Sequence, residues 1–189
     1  MRLLLMGPPG AGKGTQAKVV SQKFGIPAIS TGDIFRMNVA SRTALGVEAQ
    51  RYMDAGEYVP DSVTNAMVRD RLGEDDAKEG FLLDGYPRTL AQVEELDSIL
   101  AEYGYGLDAV VALTADEDEL VARLLKRAQV EGRSDDTEDV VRRRQQLYVE
   151  QTAPLLDVYR ERGILVDVDG IGDVEVVSSR ILDRLAKVG

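Results

Sequence analysis

Lys13 sits in a run of small residues, Gly7-Pro8-Pro9-Gly10-Ala11-Gly12-Lys13-Gly14-Thr15, between a short apolar segment and a stretch of helical periodicity. Glycines at these places let backbone N–H groups converge on an anion. The amino terminus of the following helix adds positive potential, and the ammonium of Lys13 adds a point charge toward the outer oxygens of a chain of phosphates. This order of parts is a phosphate-binding loop. An ordinary glycine turn would account for the glycines but not for a lysine at this spacing in this context. The run departs from the general pattern at one place: Gly14 directly follows the lysine, and the hydroxyl comes one position later, at Thr15.

A second block, Phe81-Leu82-Leu83-Asp84-Gly85-Tyr86-Pro87-Arg88, is an apolar run that ends in a carboxylate, a glycine turn and an arginine. A carboxylate at a strand end beside a phosphate loop is where the hydrated shell of magnesium would be anchored. A third, Ser30-Thr31-Gly32-Asp33-Ile34-Phe35-Arg36, reads at minimum as a helix start, with Thr31 and Asp33 able to cap free backbone N–H groups and Arg36 facing outward. Arg123 and Arg127 lie four apart, hence on one helix face, where they can share one anion. Arg142, Arg143 and Arg144 rotate through about 200° along a helix, so they cannot all point into one site, and spacing does not choose between them.

These groups need a frame. Residues 1–6 read as a buried strand, and 14–24 as a helix ended by Gly25 and Pro27. A short strand covers 28–30; helical spacing runs over 32–55 with a break near 41–43, and again over 62–72. Compact apolar runs at 80–84 and 107–113 are expected as buried parallel strands. Thr89 with Gln92 and Thr114 with Glu117 form capping boxes that start the helices after them. A long helical stretch over 136–162 carries Pro154 inside it, a last strand covers 164–168 and a last helix 174–187. Five strands alternating with helices specify an α/β fold with a parallel sheet covered on both faces. Ligands then bind at the carboxyl ends of the strands.

Composition narrows the chemistry. The 189 residues suffice for one core with small insertions, and they contain no histidine and no cysteine. That excludes cysteine nucleophiles, disulfides, histidine triads and a zinc site built on either residue, and it makes a cytoplasmic address the default. The reaction must need little acid–base help. With 33 acidic and 23 basic residues the formal charge is −10, which disfavours general affinity for nucleic acid or anionic membrane, so any phosphate site must be local. No apolar run approaches the roughly 18 residues of a membrane span, and no heptad or apolar stripe announces a partner, so a monomer is expected.

Together the three blocks, in this order, resemble the adenylate kinase family, and the resemblance covers essentially the whole chain, including the Gly-Lys-Gly-Thr form of the loop. It implies a three-layer P-loop kinase fold with a core of residues 1–29, 60–126 and 138–189, a mobile helical segment for the nucleoside monophosphate at 30–59, and a short lid at 127–137. Five residues separate Arg127 from Arg133, as in the short, zinc-free lid. It implies transfer of the terminal phosphate of ATP to AMP, giving two ADP, with magnesium as the cofactor. For ATP it points to Gly10, Ala11, Gly12, Lys13, Gly14, Thr15, Arg127 and Gly172. For AMP it points to Thr31 and Gln92 at the adenine, Arg36 and Arg88 at the phosphate, and Glu57, Tyr58, Val59, Gly85, Tyr86 and Pro87 around them. Arg133 and Arg144 would close over the transferring group together with Lys13, Arg88 and Arg123, while Asp84 and Asp33 would meet magnesium through water. Two other readings use the same loop. A kinase for UMP or CMP is disfavoured by Thr31, where such relatives usually carry a smaller residue. A nucleotide-dependent switch lacks an Asn-Lys-x-Asp run and would not need two nucleotide subsites.

Overall fold

The computed structural model describes residues 1–131 and 137–188. Five parallel strands, β1 (Arg2–Met6), β2 (Ala28–Ser30), β3 (Phe81–Asp84), β4 (Ala109–Thr114) and β5 (Leu165–Asp169), lie in the order β2-β3-β1-β4-β5. β1 pairs with β3 on one side, Leu5 opposite Asp84, and with β4 on the other, Leu5 opposite Val111. The chain therefore leaves β1 where crossovers diverge to the two sides of the sheet. In open parallel sheets that is where a ligand crevice forms.

Strands buried on both faces must be apolar where they are buried, and β1 over Leu3–Met6 and β4 over Ala109–Leu113 are. Leu4, Met6, Leu83 and Val110 face one layer, packing against Val68 of α4 (Asp61–Leu72), Val93 and Leu96 of α5 (Leu90–Glu102), and Leu155 and Tyr159 of α8 (Leu155–Glu161). Leu3, Leu5, Val111 and Leu113 face the other. There they meet Ala17 and Val20 of α1 (Lys13–Phe24), Leu120 of α6 (Glu117–Glu131), and Val177 and Ile181 of α9 (Val174–Leu185). Three layers result, as the alternation of elements predicts.

The segment between β2 and α4 is built differently. Its helices α2 (Thr31–Ala40) and α3 (Ala44–Asp54) close over a small cluster of their own, Phe35, Ala49 and Val59. Gly46 makes their approach possible, because a Cβ there would land on the carbonyl of Asn38.

Several boundaries differ from the sequence expectation. The fourth strand begins at Ala109 rather than 107, because Asp108 turns its carboxylate to the backbone N–H of Arg2 at 2.6 Å. The expected single helix over 136–162 is three pieces. The first, α7 (Glu138–Leu147), runs into a π-helical turn, Tyr148–Thr152, closed by the N–H of Ala153 donating to Tyr148 O at 2.8 Å, and α8 comes after Pro154. The lid expected at 127–137 begins inside α6, which continues to Glu131, and residues 132–136 lie outside the described residues.

Candidate active site

The loop after β1 turns through Gly7, Gly10 and Gly12, all with positive φ, and Gly12 caps α1 in the left-handed region. At Gly7 this conformation is enforced by crowding as well, since a Cβ would lie 2.7 Å from the carbonyl of Leu113 on β4. Lys13 opens α1 and curls back along the loop, its Nζ donating to Gly7 O at 2.8 Å and Pro8 O at 2.9 Å. Burial is the main reason its pKa falls, to about 8. The Asp84 carboxylate opposes that fall, while Arg88, Arg144 and Arg127 add to it. An ammonium among arginines is a site prepared for several negative charges.

Asp84 closes β3 beside the loop and is 9% exposed. Burial pushes its carboxyl above the ordinary value, Lys13 and Arg88 draw it back, Asp33 pushes it up again and Arg36 draws it back. A Cβ on Gly14 would stand 3.8 Å from Asp84 Oδ2, so the place where the general loop pattern carries its hydroxyl faces this carboxylate directly.

After β3 the chain turns sharply at Gly85, where a Cβ would lie 2.7 Å from Thr31 Oγ1 and 3.1 Å from Arg88 Nη2. The Gly85 carbonyl is held from both sides, by the Thr31 hydroxyl at 3.0 Å and by Arg88 Nε at 2.8 Å. Arg88 is fixed further by the Tyr58 ring, whose centroid is 5.2 Å from its guanidinium carbon. A relay completes the arrangement: Thr152 Oγ1 donates to Arg88 O at 2.8 Å, which leaves the Tyr58 hydroxyl as donor to Thr152 Oγ1 at 2.8 Å.

A cleft of about 450 Å³ opens along these elements. Gly10, Ala11, Gly12, Lys13, Gly14 and Thr15 line it from the loop, Arg123 and Arg127 from α6, and Gly172 from the turn before α9. Asp33, Arg36, Asp84, Gly85, Tyr86, Pro87, Arg88 and Arg144 line its other end. A smaller cavity of about 60 Å³ adjoins it, walled by Thr31, Arg36, Glu57, Tyr58, Val59, Gly85, Arg88, Gln92 and Arg144. Arg36, Arg88 and Arg144 belong to both walls. Three guanidinium groups therefore stand where the contents of the two cavities would meet end to end.

A protein-family model described as adenylate kinase matches residues 5–164. The chain belongs to the adenylate kinase family. It is 68% identical to an adenylate kinase of Nocardioides sp. over 98% of this chain and 97% of that one. It is 64% identical to one of Kocuria rhizophila (98% and 99% covered), and 56% identical to one of Thermobifida fusca (98% of each).

Against the adenylate kinase pattern, every expected site residue within the described segments lines one cavity or both, and Arg133 lies outside those segments. Some side chains carry second duties. The Tyr86 phenol points into the core and donates to Asn65 Oδ1 at 2.9 Å. Glu57 pairs with Arg143 Nε at 2.6 Å, Arg142 pairs with Glu138 at 2.7 Å, and of the three consecutive arginines Arg144 is the one that lines the cavities. Arg123 pairs with Glu119 and donates to Gly170 O at 3.4 Å.

Two capping expectations need correction. Ser30, not Thr31 or Asp33, caps α2, its oxygen accepting from Asp33 N at 3.3 Å. Thr89 caps α5 as expected, but the reciprocal arm of Gln92 reaches Arg88 N at 2.7 Å rather than the Thr89 N–H. The side chain of Glu117, partner of Thr114 in the other expected box, lies outside the described residues.

Sequence reasoning missed Asp61, Gln145 and Thr152. Gln145 Nε2 donates to Pro9 O at 2.9 Å and so ties α7 to the phosphate loop. Asp61 and Gln145 act on a neighbour rather than on the cavity, and Thr152, which lines the large cleft, also holds Arg88 and Tyr58; such long-range partners leave no motif. The adjacency of Gln145 to Arg144 was the one available hint.

Proposed function

We propose that the protein transfers the terminal phosphoryl group of ATP to AMP, reversibly, giving two ADP, with ATP in the large cleft and AMP in the adjoining cavity. The observation that carries this reading is the shared wall of Arg36, Arg88 and Arg144 between two cavities, one of them opening on a phosphate loop. Two polyanions held end to end need positive charge at their junction. Relatives named adenylate kinase at 56–68% identity favour AMP over UMP or CMP as acceptor.

In this mechanism the loop N–H groups and Lys13 hold the outer phosphates of ATP, with Arg123 and Arg127 alongside them. Arg36 and Arg88 hold the AMP phosphate in line behind the terminal phosphorus. An AMP oxygen forms the new P–O bond as the bond to the ADP leaving oxygen breaks, and the electron pair departs with ADP. AMP phosphate, with a second pKa of about 6, is already ionised near neutrality, so no base is required. Arg144, with Arg133, neutralises charge spreading over the equatorial oxygens. Segments 30–59 and 127–137 close over the nucleotides and keep water from the reacting phosphorus.

Magnesium fits this donor set. Asp84 and Asp33 offer carboxylates in the large cleft, and no group of three or more acidic, histidine or cysteine side chains among the described residues would hold a metal by protein alone. Magnesium needs little more, since it keeps several waters and binds through one or two carboxylates plus substrate phosphates. Asp84 and Asp33 would hold it through water, and it would supply positive charge that offsets the phosphate charge. The chain is taken to work as a cytoplasmic monomer, supported by its lack of cysteine and by exposed large apolar residues that, apart from Ile171, Val174 and Val176 around the start of α9, lie far apart in the sequence.

The test is an acceptor panel: ATP and magnesium incubated separately with AMP, CMP, UMP and GMP, with the diphosphate products resolved. ADP from the AMP reaction should dominate by orders of magnitude. Comparable CDP or UDP would move the assignment to a pyrimidine kinase, and nucleotide binding without any diphosphate would end it.

A further inference from the structure

Gln92 is 2% exposed, lines the smaller cavity, and has its amide held by two partners of opposite kind. Its Oε1 accepts from the backbone N–H of Arg88 at 2.7 Å, and its Nε2 donates to Asp61 Oδ1 at 2.7 Å. A backbone N–H can only donate and an ionised carboxylate can only accept. Turning the amide over would set donor against donor and acceptor against acceptor. The carboxylate is itself anchored, since the Thr89 hydroxyl lies 3.1 Å from both Asp61 oxygens. Gln92 thus has one polarity available, with one N–H and one carbonyl lone pair beyond those already used.

That polarity distinguishes purines. The outer edge of adenine offers a donor at the 6-amino group and an acceptor at N1, and a glutamine amide meets both without changing its present orientation. Guanine and hypoxanthine offer the reverse, an acceptor at O6 and a donor at N1, and would need the amide reversed. A site that must leave its own buried polar groups unpaired rejects the wrong substrate strongly.

We infer that Asp61 is a specificity-determining residue: by fixing, together with the Arg88 backbone N–H, the direction of the Gln92 amide it makes the acceptor cavity select a 6-aminopurine monophosphate over a 6-oxopurine one. This rests on Gln92 as the base contact, and Asp61 acts only through it. The Asp61→Asn side chain can turn its own NH2 toward Gln92, which removes the restraint on Nε2 and leaves only the Arg88 N–H to oppose the reversed amide.

The experiment measures kcat/KM for AMP and for inosine monophosphate on the same preparation of each variant, so that partial unfolding lowers both values and cancels from their ratio. Asp61→Asn removes one of the two restraints and should lower the AMP to inosine monophosphate ratio about three- to tenfold, with Thr89→Val eroding it about twofold. Gln92→Leu is the control and should abolish most of the preference. If Gln92→Leu destroys the preference while Asp61→Asn and Thr89→Val leave it at the wild-type value, the inference fails and Gln92 remains the base reader. If Gln92→Leu leaves the preference intact, Gln92 does not read the base and the inference falls with it. Should Asp61→Asn not fold, an unchanged ratio in Thr89→Val overturns the proposal alone.

Discussion

Lys13 carries its charge at a cost set by its neighbours. Burial and three arginines favour the neutral amine, the Asp84 carboxylate only partly offsets them, and the pKa stands at about 8 instead of 10.5. A bound chain of phosphates reverses the balance, because opposite charge within a few Å favours the ammonium. The pKa is therefore lower in the free protein than in the ATP complex. Below about pH 8 Lys13 is charged in both, and binding involves no change in its protonation. Above it, binding must draw in a proton, and ATP affinity falls as pH rises until the higher bound-state pKa is passed. Calorimetry of ATP binding at pH 9 in buffers of different ionisation enthalpy should show proton uptake approaching one, with little from Lys13 at pH 7. Proton release at pH 9, or affinity that rises from pH 8 to 9, would contradict the assignment. Lys13→Met should abolish the uptake at pH 9 along with most of the turnover.

At the scale of elements, the sequence is legible wherever structure has a local cause. The loop, the strands β1 and β3 and the cap of α5 were readable because glycine placement, continuous apolar runs and a Thr at the N-cap each act over a few neighbouring residues. The π-helical turn was not. Its one extra residue per turn has no compositional signature, yet it brings Thr152 between Tyr58 and the Arg88 carbonyl, residues 94 and 64 positions away. Gln92 illustrates the same limit: its capping role was readable, but Asp61, which orients its amide, arrives from another helix 31 residues away. Gly46 gives no local sign either, because nothing near it in sequence shows that α2 packs against it. A Cβ at that place collides with backbone, which cannot swing aside as a side chain could. Gly46→Ala should therefore force α2 and α3 apart at about 1–3 kcal/mol. Since those helices carry Thr31 and Arg36, proposed to hold AMP, and only Asp33 of the groups proposed for the ATP side, the expected kinetic result is a several-fold higher KM for AMP with a smaller rise in KM for ATP. Equal rises for both nucleotides would mean the damage is not confined to the segment.

For the whole molecule, the distribution of buried apolar residues divides the chain into parts of unequal strength. Each buried Leu or Val stabilises by about 1.5–3 kcal/mol, and the two clusters that sandwich the sheet hold many such residues. The segment between β2 and α4 has only Phe35, Ala49 and Val59 fully buried in its own cluster. Its far end is tied down by three contacts with the α7 region: Glu57 to Arg143, Tyr58 to Thr152, and Gly56 packed so closely that a Cβ would lie 2.9 Å from Val140 O. Opening should thus begin in α2 and α3 and stop near Gly56, while the sheet stays closed. Native-state hydrogen exchange offers the direct measure. Amides of α2 and α3 should exchange through local opening several kcal/mol below the global unfolding free energy, and those of β1, β3 and β4 only near it. Addition of ATP with AMP should slow the first group far more than the second, because the closure proposed for segment 30–59 would hold both helices in place. Exchange at one common free energy across all these elements would mean that segment 30–59 does not move as a separate body, and the water-excluding closure proposed for it would fall.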